Sequence, residues 1–133
     1  MTYKLGKRSV KRLVGVHPEL VRLVGLAICI TAVDFTVLEG LRTLDRQRKL
    51  VAKGASTTLN SRHLTGHAVD LGAWLDRRVA WDWPLYHKIA WAMKKAAKTE
   101  GVALEWGGDW QSYPDGPHFQ LSWIDYPKEQ NNV

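Results

Sequence analysis

Residues 68–73 (Ala-Val-Asp-Leu-Gly-Ala) and 118–123 (His-Phe-Gln-Leu-Ser-Trp) alternate in character with a period of two, which an extended strand satisfies and a helix does not. In the first segment Val69 and Leu71 point into a core while Asp70 points the other way. In the second, Phe119, Leu121 and Trp123 take one face and His118, Gln120 and Ser122 the other. The spacing therefore predicts two strands that present Asp70 and His118 from one face of a sheet.

A third polar group belongs with these two. His63 precedes the first strand, and Gly66 lets the intervening loop turn where a side chain would obstruct it. Ser61-x-His63-x-x-Gly66-x-Ala68-x-Asp70 and Asp115-Gly116-Pro117-His118 together supply two imidazoles and a carboxylate. His63, Asp70 and His118 suit one Zn²⁺ per chain, with the fourth tetrahedral position left for water, as in a catalytic site. A structural zinc normally takes four protein ligands, mostly cysteine, and Cys29 is the single cysteine here. Manganese and other divalent ions also suit such a donor set. A lone histidine is more often a core or surface residue than a ligand, but the fixed positions crowded between Ser61 and Asp70 outweigh that prior.

The run Ser61-Arg62-His63-Leu64-Thr65-Gly66-His67-Ala68-Val69-Asp70 resembles the S-x-H-x-x-G-x-A-x-D signature of the LAS zinc peptidases. These include D-Ala-D-Ala carboxypeptidases and dipeptidases, in a superfamily that also holds lysostaphin-type enzymes and Hedgehog signalling domains. Within it the chain most resembles the small L-alanyl-D-glutamate peptidases that tailed bacteriophages use as endolysins. The likeness runs from Tyr3-Lys4-Leu5-Gly6-Lys7-Arg8-Ser9 through Asp34-Phe35-Thr36-Val37 and Gly40-Leu41-Arg42-Thr43 to Gly107-Gly108-Asp109-Trp110 and Gly116-Pro117-His118. It implies a zinc endopeptidase that cuts peptidoglycan stem peptides between L-alanine and D-glutamate during host lysis.

Amide hydrolysis also needs a group to take a proton from water. Asp115, three residues before His118 across a tight turn, is the candidate general base and later proton donor to the departing amine. The superfamily often has glutamate in this role, whereas the endolysins that the chain resembles carry aspartate. An ordinary turn aspartate is the competing explanation. By resemblance, Arg42 leans over the zinc and stabilises the oxyanion; the alternative is an exposed partner for Glu39 or Asp45. Ser61 binds substrate or orients the His63 loop. Asp109 either holds a ligand imidazole or caps its own turn, and His67 occupies a variable position of the signature.

At 133 residues the chain fits one catalytic domain, 1–133, with a core that needs no disulfides and no separate wall-binding domain. Cys29 lies in the apolar run Leu23 to Val33 and reads as a small buried hydrophobe. That run, bounded by Arg22 and Asp34, is shorter than the ~20 residues a membrane span requires. No secretory signal is evident at the basic, polar amino terminus, so synthesis is expected in the host cytoplasm. The phage resemblance then implies release to the wall by a separately encoded holin.

Nineteen Lys and Arg against thirteen Asp and Glu leave a net charge of +6, which favours anionic partners: peptidoglycan carboxylates and wall or outer-membrane polymers. The cluster Lys4, Lys7, Arg8, Lys11 and Arg12 is compatible with nucleic acid, but no nucleic-acid-binding motif accompanies it. A monomer that binds neither nucleic acid nor the membrane interior is expected. Trp74, Trp81, Trp83 and Trp110 either line a substrate groove or pack at the core and rim.

The expected elements are a short helix capped by Ser9, a helix from Pro18 to about Ile30, a strand over 34–41, and a helix capped by Thr43 that Gly54 ends. A long helix follows from near Asp82 to Gly101, in which Met93 and Trp91 read as packing. With a strand over 102–106 this gives an α+β domain, a small mainly antiparallel sheet with flanking helices, as in the Hedgehog and D-Ala-D-Ala peptidase folds that the resemblance implies. Two other functions compete: a D,D-carboxypeptidase or D-Ala-D-Ala dipeptidase using the same site, and a zinc-bearing binding module without catalysis. The retained Asp115 speaks against the second.

Overall fold

A computed structural model describes residues 2–127 apart from residue 57. Its α+β architecture follows from two amphipathic helices and a set of short strands. Helix α2, Pro18–Ile30, starts with proline in its first turn, where no intrahelical N–H is lost, and buries Leu20, Leu23, Val24, Ala27 and Ile28. The long helix α4, Trp83–Glu100, buries Tyr86, Ile89, Ala90, Met93, Ala96 and Ala97, and stops at Gly101 in the left-handed region, φ 67°. The two pack on each other, and α4 also packs on the sheet.

Five antiparallel strands make that sheet: β1 (Phe35–Glu39), β2 (Ala68–Leu75), β3 (Arg78–Ala80), β4 (Leu104–Trp106) and β5 (His118–Leu121). The order is β1-β2-β5-β4, with β3 paired to the far end of β2. Val69 and Leu71 on β2 and Phe119 and Leu121 on β5 are fully buried, as their alternation requires. Each such side chain contributes about 1.5–3 kcal/mol through burial. The same pleat turns Asp70 and His118 to the opposite face.

Helix α3, Leu44–Ala52, is capped as expected, Thr43 Oγ1 accepting from Arg46 N at 3.2 Å. Helix α1 is not: it spans Lys7–Arg12 with Ser9 inside it. Ser9 Oγ instead accepts from Val37 N at 2.9 Å and lies 3.1 Å from Thr36 Oγ1, tying the helix to β1. Cys29 is exposed, not buried, because it falls outside the one stripe of α2 that meets the core. Trp91 likewise sits on the outer side of α4 and is 56% exposed, whereas Met93 is buried. Strand β3 was not anticipated. Asp76 and Arg77, with φ 50° and 64°, make its hairpin turn without the glycine or asparagine that usually marks one. Strand β5 ends at Leu121, so Trp123 leaves the core face and lies over the Arg62 guanidinium, 4.1 Å from its central carbon.

Candidate metal centre and active-site cleft

Asp70 and His118 are direct cross-strand partners in the pairing of β2 with β5, which fixes both side chains on one face at the shortest lateral spacing a sheet offers. His63 joins them from a single 3₁₀ turn, Arg62–Thr65. Ser61 starts this turn, its Oγ accepting from His63 N at 3.2 Å. Gly66 ends it at φ 74°, where a Cβ would run into the Gly15 carbonyl oxygen.

The three groups converge. His63 Nε2 and His118 Nδ1 each lie 3.1 Å from Asp70 Oδ1, and the three ligating atoms are all within 4.8 Å of one another. The outward nitrogens are anchored: His63 Nδ1 is 2.8 Å from Gly40 O, and His118 Nε2 is 2.8 Å from Gln120 Oε1. Both partners are acceptors, so in the neutral rings the protons sit on the outward nitrogens and lone pairs face Asp70. Two lone pairs meeting a carboxylate oxygen repel unless a cation lies among them. This donor set fits a divalent metal held by two nitrogens and one oxygen.

Without a metal, protons must take over that compensation. Burial pushes the Asp70 carboxyl upward, but its bonds to His118 and His63 prevail and hold it well below the usual carboxylate range. Burial also opposes charge on His118, yet the bond to Asp70 raises its imidazole above the ordinary value.

The centre floors a cleft of about 720 Å³, whose walls include Glu39, Arg42, Ser61, Trp110, Tyr113 and Asp115. Asp115 stands exposed at the mouth, in a turn closed by His118 N donating to Asp115 O at 3.2 Å. Partial burial of its carboxyl and the charge on Asp70 raise its pKa. Gly116 in that turn is required by Tyr86, whose ring occupies the space a Cβ would need.

Arg42 is half-buried, its side chain 9% exposed, and Glu39 is its partner. Its Nε and Nη2 bond the two Glu39 oxygens at 2.8 and 2.7 Å, Nη1 donates to Gln47 Oε1 at 2.7 Å, and Nη2 is 3.8 Å from Asp70 Oδ2. A fixed positive charge is thereby held beside the ligand carboxylate. Gln47, fully buried, also donates from Nε2 to Thr58 O at 2.6 Å and Ser56 Oγ at 2.9 Å, tethering the rim loop to Arg42.

Other expectations separate here. Asp109 pairs with Lys94 Nζ at 2.7 Å and bonds neither ligand imidazole. His67 Nδ1 is 2.7 Å from Thr65 Oγ1 and lies outside the group of three ligands. Of the four tryptophans considered for the groove, Trp110 lines it, 5.2 Å from the His118 ring; Trp74, Trp81 and Trp83 do not. Gln120, Gln47 and the Gly40 carbonyl went unassigned from sequence. Only Gln120 carried a signal, its place on the His118 face of the alternating strand.

Comparison with known proteins gives the chain a family. Residues 1–128 match the family described as phage L-alanyl-D-glutamate peptidase. The chain belongs to that family. It is 32% identical over 119 residues to the L-alanyl-D-glutamate peptidase of Escherichia phage T5, covering 86% of this chain and 87% of that protein. The L-alanyl-D-glutamate peptidase of Listeria phage A118 is 35% identical over 94 residues, 71% of this chain but 32% of the longer relative. The crystal structure of Serratia marcescens L-Ala D-Glu endopeptidase ChiX superimposes with a TM-score of 0.88 at 52% identity, covering 92% of each chain. Family membership thus accompanies the α+β fold anticipated from sequence. Among the described residues no helix is long and apolar enough to cross a membrane.

Proposed function

We propose that this family member is a zinc endopeptidase that hydrolyses the L-Ala-D-Glu bond of peptidoglycan stem peptides, acting as a phage or prophage endolysin. The observation that carries the reading is the convergence of His63, Asp70 and His118 on the cleft floor with tautomers suited to a cation. Relatives named for L-alanyl-D-glutamate cleavage supply the bond.

His63, Asp70 and His118 would hold the metal. When bound, zinc supplies electrophilic polarisation of the scissile carbonyl and makes a water acidic enough to ionise near neutral pH. Asp115 accepts the water's proton and returns it to the departing D-glutamate nitrogen; its place at the cleft mouth, one turn from His118, suits a group that must do both. Arg42 provides a permanent positive charge for the developing oxyanion. Its nitrogens are held by Glu39 and Gln47, so that charge is positioned before substrate arrives. Ser61 orients the His63 turn through its oxygen lone pair and retains its O–H for a substrate carbonyl.

The proposed setting is one catalytic domain acting as a monomer, made in the host cytoplasm and admitted to the wall by a holin. The net +6 charge supports attraction to anionic wall or outer-membrane polymers. Mass spectrometry of digested muropeptides tests the bond: fragments with new amino-terminal D-glutamate are expected. Release of free D-alanine without such ends would transfer the assignment to a D,D-carboxypeptidase or dipeptidase. Full zinc loading with no cleavage would identify a binding module.

A further inference from the structure

His63 and His118 face the same carboxylate but are anchored differently. The Gly40 carbonyl behind His63 can only accept, so it dictates a proton on Nδ1. The group behind His118 is the side-chain amide of Gln120, which can turn either its oxygen or its nitrogen towards the ring. With the nitrogen turned inward, the imidazole proton would move to Nδ1, the atom that faces Asp70. The Asp70 carboxylate itself favours that wrong tautomer, so something must oppose it.

Glu105 is placed to do so. It is the register partner of Gln120 across β4 and β5, and Gln120 Nε2 donates to Glu105 Oε2 at 3.2 Å. A carboxylate accepts only, so the amide nitrogen is drawn to Glu105 and its oxygen is left for His118 Nε2–H. Arg62 lies near enough for its charge and that of Glu105 to attract. It is 2% exposed, and its Nη2 donates to the Leu121 carbonyl at 3.1 Å. Arg62 Nε and Nη1 have no hydrogen-bond partner among the described residues, so no other carboxylate claims them. A cation fixed in the cleft wall thus stands near Glu105, and the order of donors and acceptors runs from Glu105 through Gln120 to His118.

We propose that Glu105 is a positioning residue that sets the tautomer of His118 through the amide of Gln120, leaving Nδ1 unprotonated to take a divalent metal. Its consequence for metal uptake rests on the metal-dependent reading above. The tautomer itself does not.

Two measurements test it. Long-range ¹H–¹⁵N NMR on metal-free protein, at alkaline pH where the His118 imidazole is neutral, reads which His118 nitrogen carries the proton; competition with a chromophoric chelator reads zinc affinity. Glu105→Gln should shift His118 towards the Nδ1–H form and weaken zinc binding about tenfold, the lower end for partners that orient metal ligands. Gln120→Glu alone sets two carboxylates side by side and should also bind weakly. The double variant Glu105→Gln/Gln120→Glu restores the order of donors and acceptors, because residue 120 again accepts from His118 and residue 105 now donates to it. It should recover wild-type affinity to within about threefold and return the proton to Nε2. A Glu105→Gln protein with the wild-type tautomer, or a double variant no better than its parents, would overturn the proposal. Wild-type protein that takes up no zinc would sink the metal reading alone, since the NMR outcome still decides the tautomer.

Discussion

The floor and the rim of the cleft are built on opposite principles. On the floor, His63 and His118 are 2% and 7% exposed, sit on a 3₁₀ turn and a strand, and have their outward nitrogens anchored. On the rim, Asp115 is exposed in a turn, and nearby Tyr113 is 79% exposed with φ 52°. Ligands need fixed direction, which buried backbone and strand pairing supply. A proton carrier must meet both water and a leaving group, which requires an open edge. Metal retention and turnover should therefore be separable by substitution.

The largest effect should come from breaking the floor. His118→Ala removes a nitrogen ligand and leaves Asp70 without its cross-strand partner. Zinc uptake measured by elemental analysis should be lost, and muropeptide cleavage should fall roughly a thousandfold or more, in keeping with the several kcal/mol a catalytic metal provides. Substantial cleavage by a metal-free His118→Ala protein would remove the floor from the chemistry.

Asp115→Asn should leave the floor intact and stop the rim. Zinc content should match wild type while kcat drops about 10²–10⁴-fold, the usual contribution of a general acid–base group. The pH profile carries the sharper test. Partial burial and the Asp70 charge raise the Asp115 pKa in the metal-free protein and a bound divalent ion opposes them, so kcat/KM should rise with pH along a limb set by ionisation of that carboxyl. That limb should vanish in Asp115→Asn. If it persists unchanged, a different group accepts the proton.

Gln47 joins the two regions, since it holds Arg42 on one side and Thr58 and Ser56 of the rim loop on the other. Gln47→Ala strands buried polar partners, so a stability loss of about 1–3 kcal/mol in denaturant unfolding is expected. With the loop untethered, KM should rise about tenfold more than kcat falls, because substrate positioning is lost before the metal is. A pure fall in kcat at unchanged KM would place Gln47 with the floor alone.

What was legible in the sequence follows the same division. Alternation over 68–73 and 118–121 exposed the ligand face because a pleated strand converts sequence parity directly into direction. The helices at 18–30 and 83–100 were legible from their periodicity and their Pro and Gly boundaries. Cys29 and Trp91 were misplaced because apolar character does not say which side of a helix meets the core. Gln47 and the Gly40 carbonyl act through partners distant in sequence or through backbone atoms, and neither leaves a local pattern. Arg42 was identifiable by resemblance, but its capture by Glu39 and Gln47 became visible only in three dimensions.

The smallest effect belongs to Asp109, which sequence left between holding a ligand imidazole and capping its turn. It forms an exposed pair with Lys94, the side chains 57% and 49% exposed, and such pairs contribute less than about 0.5 kcal/mol once solvent screening is included. Asp109→Ala should therefore leave zinc affinity within about twofold of wild type, well short of the 10–100-fold loss expected for a residue that orients a metal ligand. A tenfold loss would mean that Asp109 abandons Lys94 and reaches an imidazole when metal is present. The boundary between floor and rim would then shift outward to the turn after β4, because a solvated group would be helping to aim a buried ligand.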